Sequence, residues 1–279
     1  NDMNGPEIYG TIFSLVPSSY DENTLWAGSD DGLVHITQDH GKSWRNITPP
    51  DMPKDTRISI IEESKHKAGT IYIAAKRYQM DDRKPYLWKT NDYGKTWSKI
   101  INGIRNDDFL HVIREDLKVP GLLYAGGEHE VWVSYNDGDN WESISLNLPD
   151  TQISDLIVTE KDLVVGTHGR SIYILDDISP IREMYKVKKE NPHLYDVYFA
   201  TRRVQDAEIK YYLPSKPEKL LIKIIDSKNR IVLEKKGVLD PEPDNDSSSW
   251  FGADNKSPLM NSGLNSYKWN LRYQGARDF

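Results

Sequence analysis

Thr37-Gln38-Asp39-His40-Gly41-Lys42-Ser43-Trp44, Thr90-Asn91-Asp92-Tyr93-Gly94-Lys95-Thr96-Trp97 and Ser134-Tyr135-Asn136-Asp137-Gly138-Asp139-Asn140-Trp141 are three copies of one pattern. It runs hydroxyl, any residue, Asp or Asn, any residue, Gly, any residue, small polar, Trp. Recurrence at roughly 40–50 residues marks a propeller or a solenoid. Each copy lies between apolar runs: 34–36 and 44–47, 86–88 and 97–100, 131–133 and 141–144. Asp39, Asp92 and Asn136 are placed to accept hydrogen bonds from turn N–H groups. Gly41, Gly94 and Gly138 supply the positive φ of a tight hairpin. Trp44, Trp97 and Trp141 are expected to open the next strand as apolar plugs between sheets. The motif therefore reads as a structural staple, with a calcium or sugar site at the turns as the alternative.

Outward from these turns the first 180 residues parse into four similar units. Strand-like runs fall at 11–16, 25–27, 33–36 and 44–48; at 58–61, 71–74, 86–88 and 97–101; and at 109–113, 122–125, 131–133 and 141–145. The fourth unit has 156–158, 163–165 and 172–175, with no turn motif and no outer strand before Asp176-Asp177-Ile178-Ser179-Pro180. Four strands per unit is a propeller blade. The expected fold is all-β, with residues 1–180 as four blades. They read as the C-terminal half of a larger propeller, a compact four-bladed ring being the alternative. Residues 181–206, charged at Lys186, Lys188, Lys189 and Glu190 and aromatic at Tyr195, Tyr198 and Phe199, are expected as a connector. Runs at 208–213, 219–225, 230–233 and 263–272, with a turn at 226–229 and a polar loop at 237–262, suggest a truncated immunoglobulin-like sandwich over 207–279.

Composition removes several function classes. Lys and Arg total 36 against 43 Asp and Glu, a net charge of −7, with both signs interspersed, so no nucleic-acid footprint is present. There is no cysteine, which excludes disulfides, thiol catalysis and thiolate zinc. No apolar run approaches the ~20 residues of a membrane span. Eight Trp and 16 Tyr suit strands and binding surfaces.

The stretch 166–180 (Gly166-Thr-His168-Gly-Arg170 through Pro180) resembles the last blade of large bacterial proteins with sortilin-like or BNR (Asp-box) repeats, often called glycosyl hydrolase-like. Asp30-Asp31-Gly32, Pro85-Tyr86 and 121–126 fit the same family, and 209–213 with 264–272 resemble its Ig-like domain. The resemblance covers nearly the whole chain. It implies an exported, surface or periplasmic bacterial protein whose N-terminal propeller half lies outside this sequence, and it supplies no demonstrated activity.

Loops joining second and third strands gather on one face of a propeller. Here they are 29–32, 76–84, 128–130 and 167–170, all charged, and 76–84 is the longest. Arg77, Asp82, His129, His168 and Arg170 are the expected ligand contacts. Asp31, Asp82 and Glu128 are the carboxylates an enzyme would recruit, since glycosidases need two at ~5–9.5 Å. A sialidase would add an arginine cluster, and a xyloglucanase one Asp from each propeller half. No nucleophile elbow, phosphate loop or dinucleotide fingerprint occurs, and no metal or cofactor is expected. The leading expectation is a non-catalytic extracytoplasmic module that binds protein or glycan at the loop face. A glycoside hydrolase sharing its site with the missing half is the alternative. A subunit role in a larger envelope assembly is a third reading.

Overall fold

The computed structural model describes residues 9–184, 190–197, 200, 201, 204, 206–239 and 257–272. The chain divides into two compact units, Asn1–Ile178 and Ser179–Phe279. The first unit is propeller-like, built from four antiparallel sheets in chain order. Sheet one holds β1 (Ile12–Pro17), β2 (Leu25–Ser29), β3 (Val34–Thr37) and β4 (Arg45–Asn46); sheet two holds β5 (Arg57–Glu63), β6 (Ile71–Arg77), β7 (Asp82–Thr90) and β8 (Ser98–Lys99). Sheet three holds β9 (Leu110–Glu115), β10 (Leu123–Gly127), β11 (Val131–Ser134) and β12 (Glu142–Ser143). Sheet four has only β13 (Ile153–Val158), β14 (Leu163–Thr167) and β15 (Ile172–Leu175) among the described residues.

The first strands of successive sheets lie side by side, β1 on β5, β5 on β9 and β9 on β13, as blades converge on an axis. One core of Trp26, Val34, Ile36, Ile58, Ile73 and Trp88 lies between sheets one and two. A second, of Tyr72, Leu87, Leu110, Ile113, Leu123 and Trp132, lies between sheets two and three. Close approach demands small residues here. A Cβ on Gly28 would lie 2.5 Å from Ile58 Cγ2, and one on Gly126 2.5 Å from Ile153 Cγ2.

The three turns share one hydrogen-bond scheme. Thr37 Oγ1 donates to Asp39 Oδ1 (2.8 Å), Gly41 N–H to Thr37 Oγ1 (2.9 Å) and Ser43 N–H to Asp39 Oδ1 (2.9 Å). The corresponding distances at Thr90, Asp92, Gly94 and Thr96 are 2.8, 3.0 and 2.9 Å, and at Ser134, Asn136, Gly138 and Asn140 3.0, 2.9 and 2.9 Å. Two consecutive left-handed residues close each turn: His40 and Gly41, Tyr93 and Gly94, Asp137 and Gly138. The Ser43 hydroxyl and then its N–H hold the Asp39 carboxyl down to about 2, and Thr96 does the same for Asp92. Asn136 works through its amide oxygen, so the turn needs an acceptor and no charge. No group of three metal-ligating side chains occurs among the described residues.

Two expectations are corrected. The fourth strands are two residues long, not the five expected from each Trp onward, and each Trp sits just before its strand. The plug function holds for Trp141, which is 3% exposed, and fails for Trp44, which is 44% exposed. Trp97 Nε1–H donates to Ile47 O (2.8 Å) and Trp141 Nε1–H to Ile100 O (2.9 Å), each reaching the blade before its own. No described blade precedes sheet one, so Trp44 has nothing to plug.

Within the second unit, α1 (Ser179–Glu183) is followed by β16 (His193–Leu194), which pairs with β17 (Ala207–Leu213) although it lies in the stretch expected as a connector. β17 pairs in turn with β20 (Gly263–Trp269), and β18 (Leu221–Ile225) forms a hairpin with β19 (Ile231–Lys236). Asp226 accepts N–H bonds from Lys228 (2.8 Å) and Arg230 (2.9 Å) in that hairpin turn. Ile209, Tyr211, Leu213, Leu233 and Tyr267 form the core. Lys186, Lys188, Lys189, Tyr198, Phe199 and most of the 237–262 loop lie outside the described residues.

Candidate functional site

The expected 76–84 loop is mostly hairpin. β6 runs to Arg77, a 3-10 turn spans Tyr78–Met80, Asp81 takes φ 57°, and β7 starts at Asp82. The turn sets Tyr78 beside Phe109, ring centroids 5.2 Å apart and 19° from parallel. Below them opens a cleft of about 240 Å³ lined by Lys76, Tyr78, Arg83, Phe109, His111, Glu128 and Gln152. These residues come from sheets two and three and from the segment leading into sheet four.

A hydrogen-bond chain runs through the cleft. Lys76 Nζ is 3.0 Å from His111 Nδ1, and His111 Nε2 is 3.0 Å from Glu128 Oε2. Desolvation, with the charges of Lys76 and Arg57, pushes His111 down to about 3, so the imidazole is neutral at physiological pH. A carboxylate only accepts, so Nε2 carries the proton and Nδ1 accepts from Lys76. Desolvation and Arg57 lower the Lys76 ammonium to about 8. Burial raises Glu128 against the pull of His129, Lys76 and Arg83. The result is a polarised line, cation to neutral ring to carboxylate, under an aromatic wall.

The residues singled out in the sequence fall in different places. Glu128 lines the cleft. Asp31 caps its own hairpin by accepting from the Ser29 hydroxyl and from Leu33 N–H (3.4 Å). Arg77 donates to Asp82 (2.7 Å) and Tyr86 OH does so too (2.8 Å), while Arg77 Nε–H reaches Lys54 O (3.1 Å). Partial burial pushes Asp82 up, but the bonds from Tyr86, Lys84 N–H and Arg77 outweigh it and hold the carboxyl low. Arg77 and Asp82 are therefore partners of each other. His129 lies against Asp150 (Nδ1 to Oδ1 2.8 Å). His168 donates its N–H to Gln152 O (2.9 Å), and Arg170 is exposed. Lys76, Tyr78 and Arg83 lie in the 76–84 stretch expected to carry function but were not named as contacts, and Phe109, His111 and Gln152 were missed. The usable signal was His111, a polar residue inside the apolar run 109–113, which is only 8% exposed.

Residues 3–119 match the family described as Sortilin-Vps10 (sortilin, neurotensin receptor 3). A comparison with curated proteins finds no match. Among solved structures, the chain is similar to YCF48 bound to D1 peptide, with 14% identity and TM-score 0.45 over 74% of this chain and 65% of that one. It is similar to the GH74 enzyme of Niastella koreensis, with 12% identity and TM-score 0.44 over 59% of this chain and 22% of that one. A third likeness is the GH74 xyloglucanase of Xanthomonas campestris, with 15% identity and TM-score 0.44 over 57% and 27%. This chain spans less than two thirds of each of these proteins. Among the described residues no helix is long and apolar enough to cross a membrane.

Proposed function

We propose that the first unit is a non-catalytic, extracytoplasmic binding module that takes a protein or glycan segment in the Lys76–His111–Glu128 cleft. The observation that carries this reading is the lining itself. An exposed aromatic face (Tyr78, 42% exposed) stands over donors and acceptors of both signs, with one carboxylate among them. At about 240 Å³ the cleft lies below the ~300–1,000 Å³ of sites that engulf a ligand, which suits one terminal group of a longer chain. Binding of oligosaccharide and peptide panels to the whole chain, measured beside Tyr78→Ala and Arg83→Ala, tests the placement. Unchanged affinity for every ligand in both variants sinks it.

Glu128 supports a second reading, a glycoside hydrolase. A carboxyl raised by burial is what a general acid requires, and its counterpart would come from outside the described residues. Loss of oligosaccharide hydrolysis in Glu128→Gln, with binding retained, would favour that reading over the first.

The three turns are read as Asp-box staples and the second unit as Ig-like. The open faces of the blade array are read as seats for further blades. Sheet one presents Phe13, Leu15 and Trp44 to solvent, and sheet four presents Ile157, Ile172 and Ile174 at 58, 68 and 57% exposure. Gly166, at the place of Gly28 and Gly126, would meet only its own sheet.

A further inference from the structure

Lys76 is surrounded by more positive than negative charge. Arg57 on β5 and Arg83 on β7 join it, and Arg57 Nε has no hydrogen-bond partner among the described residues. The Arg57 guanidinium lies over the Phe13 ring, 3.8 Å from its centroid. Glu128 opposes these cations. Asp108 also acts on Glu128, but it is fully buried and already accepts from Trp132 Nε1–H (2.7 Å) and His129 N–H (2.8 Å). His111, His168 and Tyr78 are further titratable neighbours, and His129 acts on Glu128.

The Lys76 nitrogen sits 5.6 Å from the Tyr78 centroid, at the wall of an open cleft. His111, its tautomer fixed by Glu128, takes one N–H of the amine and turns the lone pair away from the ring. We propose that Lys76 is a carbonyl-capturing amine that forms a reversible imine with small aldehydes or α-keto acids carrying a carboxylate. The Nζ lone pair forms a C–N bond to the carbonyl carbon, and the C=O π pair moves to oxygen. A proton passes from nitrogen to that oxygen, giving a carbinolamine. The hydroxyl then departs with a second proton as water, and the nitrogen lone pair closes the C=N bond. Nothing is oxidised or reduced. Arg57 and Arg83 favour a carbonyl compound that brings its own negative charge.

The lowered ammonium supports this chemistry. With a value of about 8 in place of 10.5, the free amine near neutral pH is on the order of a hundredfold more abundant than on an ordinary lysine. His111 acts as a positioning residue.

The inference rests on the cleft proposed above as a binding site, but its test is separate. The whole chain is incubated with glyoxylate and cyanoborohydride, which reduces any imine to a stable carboxymethyl amine, and is then mapped by peptide mass spectrometry. Lys76 should be modified roughly tenfold faster than the exposed Lys42 and Lys95, with a rate midpoint near pH 8. Lys76→Arg should lose that adduct while Lys42 and Lys95 react as before. Propanal, which lacks the carboxylate, should react more slowly. Labelling of Lys76 no faster than Lys42 overturns the proposal, and equal rates with propanal and glyoxylate overturn the role of the arginines. Neither result touches glycan or peptide binding, which the Tyr78 and Arg83 variants report.

Discussion

Trp141 and Trp44 occupy the same position of the same turn and live in opposite environments. Trp141 is 3% exposed, its indole N–H is held by Ile100 O at 2.9 Å, and a Cβ on its turn glycine, Gly138, would lie 2.7 Å from Ile100 Cδ1. Trp44 is 44% exposed, and the nearest atom to a Cβ on Gly41 would be its own Nε1 at 4.0 Å. The turns themselves are alike to within 0.2 Å in their shared hydrogen bonds. Local sequence builds the turn, and the neighbouring blade alone decides whether its tryptophan stabilises anything.

The largest effect should therefore fall on the buried copy. Trp141→Ala removes a large buried side chain and orphans Ile100 O, and should cost about 3–5 kcal/mol in denaturant unfolding of this chain. A second staple between the same blades should rank next. Glu115, 3% exposed on β9, accepts Lys65 N–H (2.7 Å), Gly121 N–H (3.1 Å) and Tyr72 OH (3.4 Å). Glu115→Ala leaves the Lys65 and Gly121 N–H groups without their acceptor, while Tyr72 OH keeps Asp137 Oδ1 (2.8 Å), and should cost about 2–3 kcal/mol, with Glu115→Gln recovering part of it. A loss under about 0.5 kcal/mol in either alanine variant would mean that blade contacts do not carry the stability of the unit.

The site gives a pH-dependent version of the same comparison. Folded, His111 titrates near 3 because it is desolvated between Lys76 and Arg57; unfolded, near 6.5. Between those values the unfolded chain binds the extra proton. The contribution of His111 is complete above pH 6.5 and is lost as pH falls toward 3. His111→Gln should flatten that part of the stability curve. An acid limb of unchanged slope in the variant would show that His111 is protonated in the fold. Lys76 has the opposite reach: between about 8 and 10.5 the unfolded chain holds more protons, so stability rises with pH there.

How much of this was legible in the sequence follows from contact range. The turns depend on bonds two and four residues apart, Thr37 to Asp39 and Ser43 to Asp39, so residue types and spacing were enough. The cleft depends on Lys76 meeting His111 across 35 positions and His111 meeting Glu128 across 17. Strand register and blade packing set those meetings, and no local pattern encodes them. Arg77 and Asp82 looked available because charged loop residues are usually solvated; they meet across only five positions, but the sequence read as a loop and did not show that β6 and β7 continue to them as a tight hairpin. The exposure of Trp44 was illegible because, like the cleft, it depends on blade packing.

The smallest effect is the most discriminating. Trp44→Ala should change the stability of this chain by no more than about 0.5 kcal/mol, because the side chain is 44% exposed and no described blade precedes sheet one. If a further blade seats against sheet one, it should supply what Ile47 and Ile100 supply to the later copies: a backbone carbonyl for the indole N–H and a β-branched side chain against the turn glycine. In a longer polypeptide or complex containing that blade, the same substitution should cost about as much as Trp141→Ala, and Gly41→Ala should become more harmful than it is here. A loss of several kcal/mol from Trp44→Ala in this chain alone would mean that the ring is already packed, and the reading of sheet one as an open seat would fall with it.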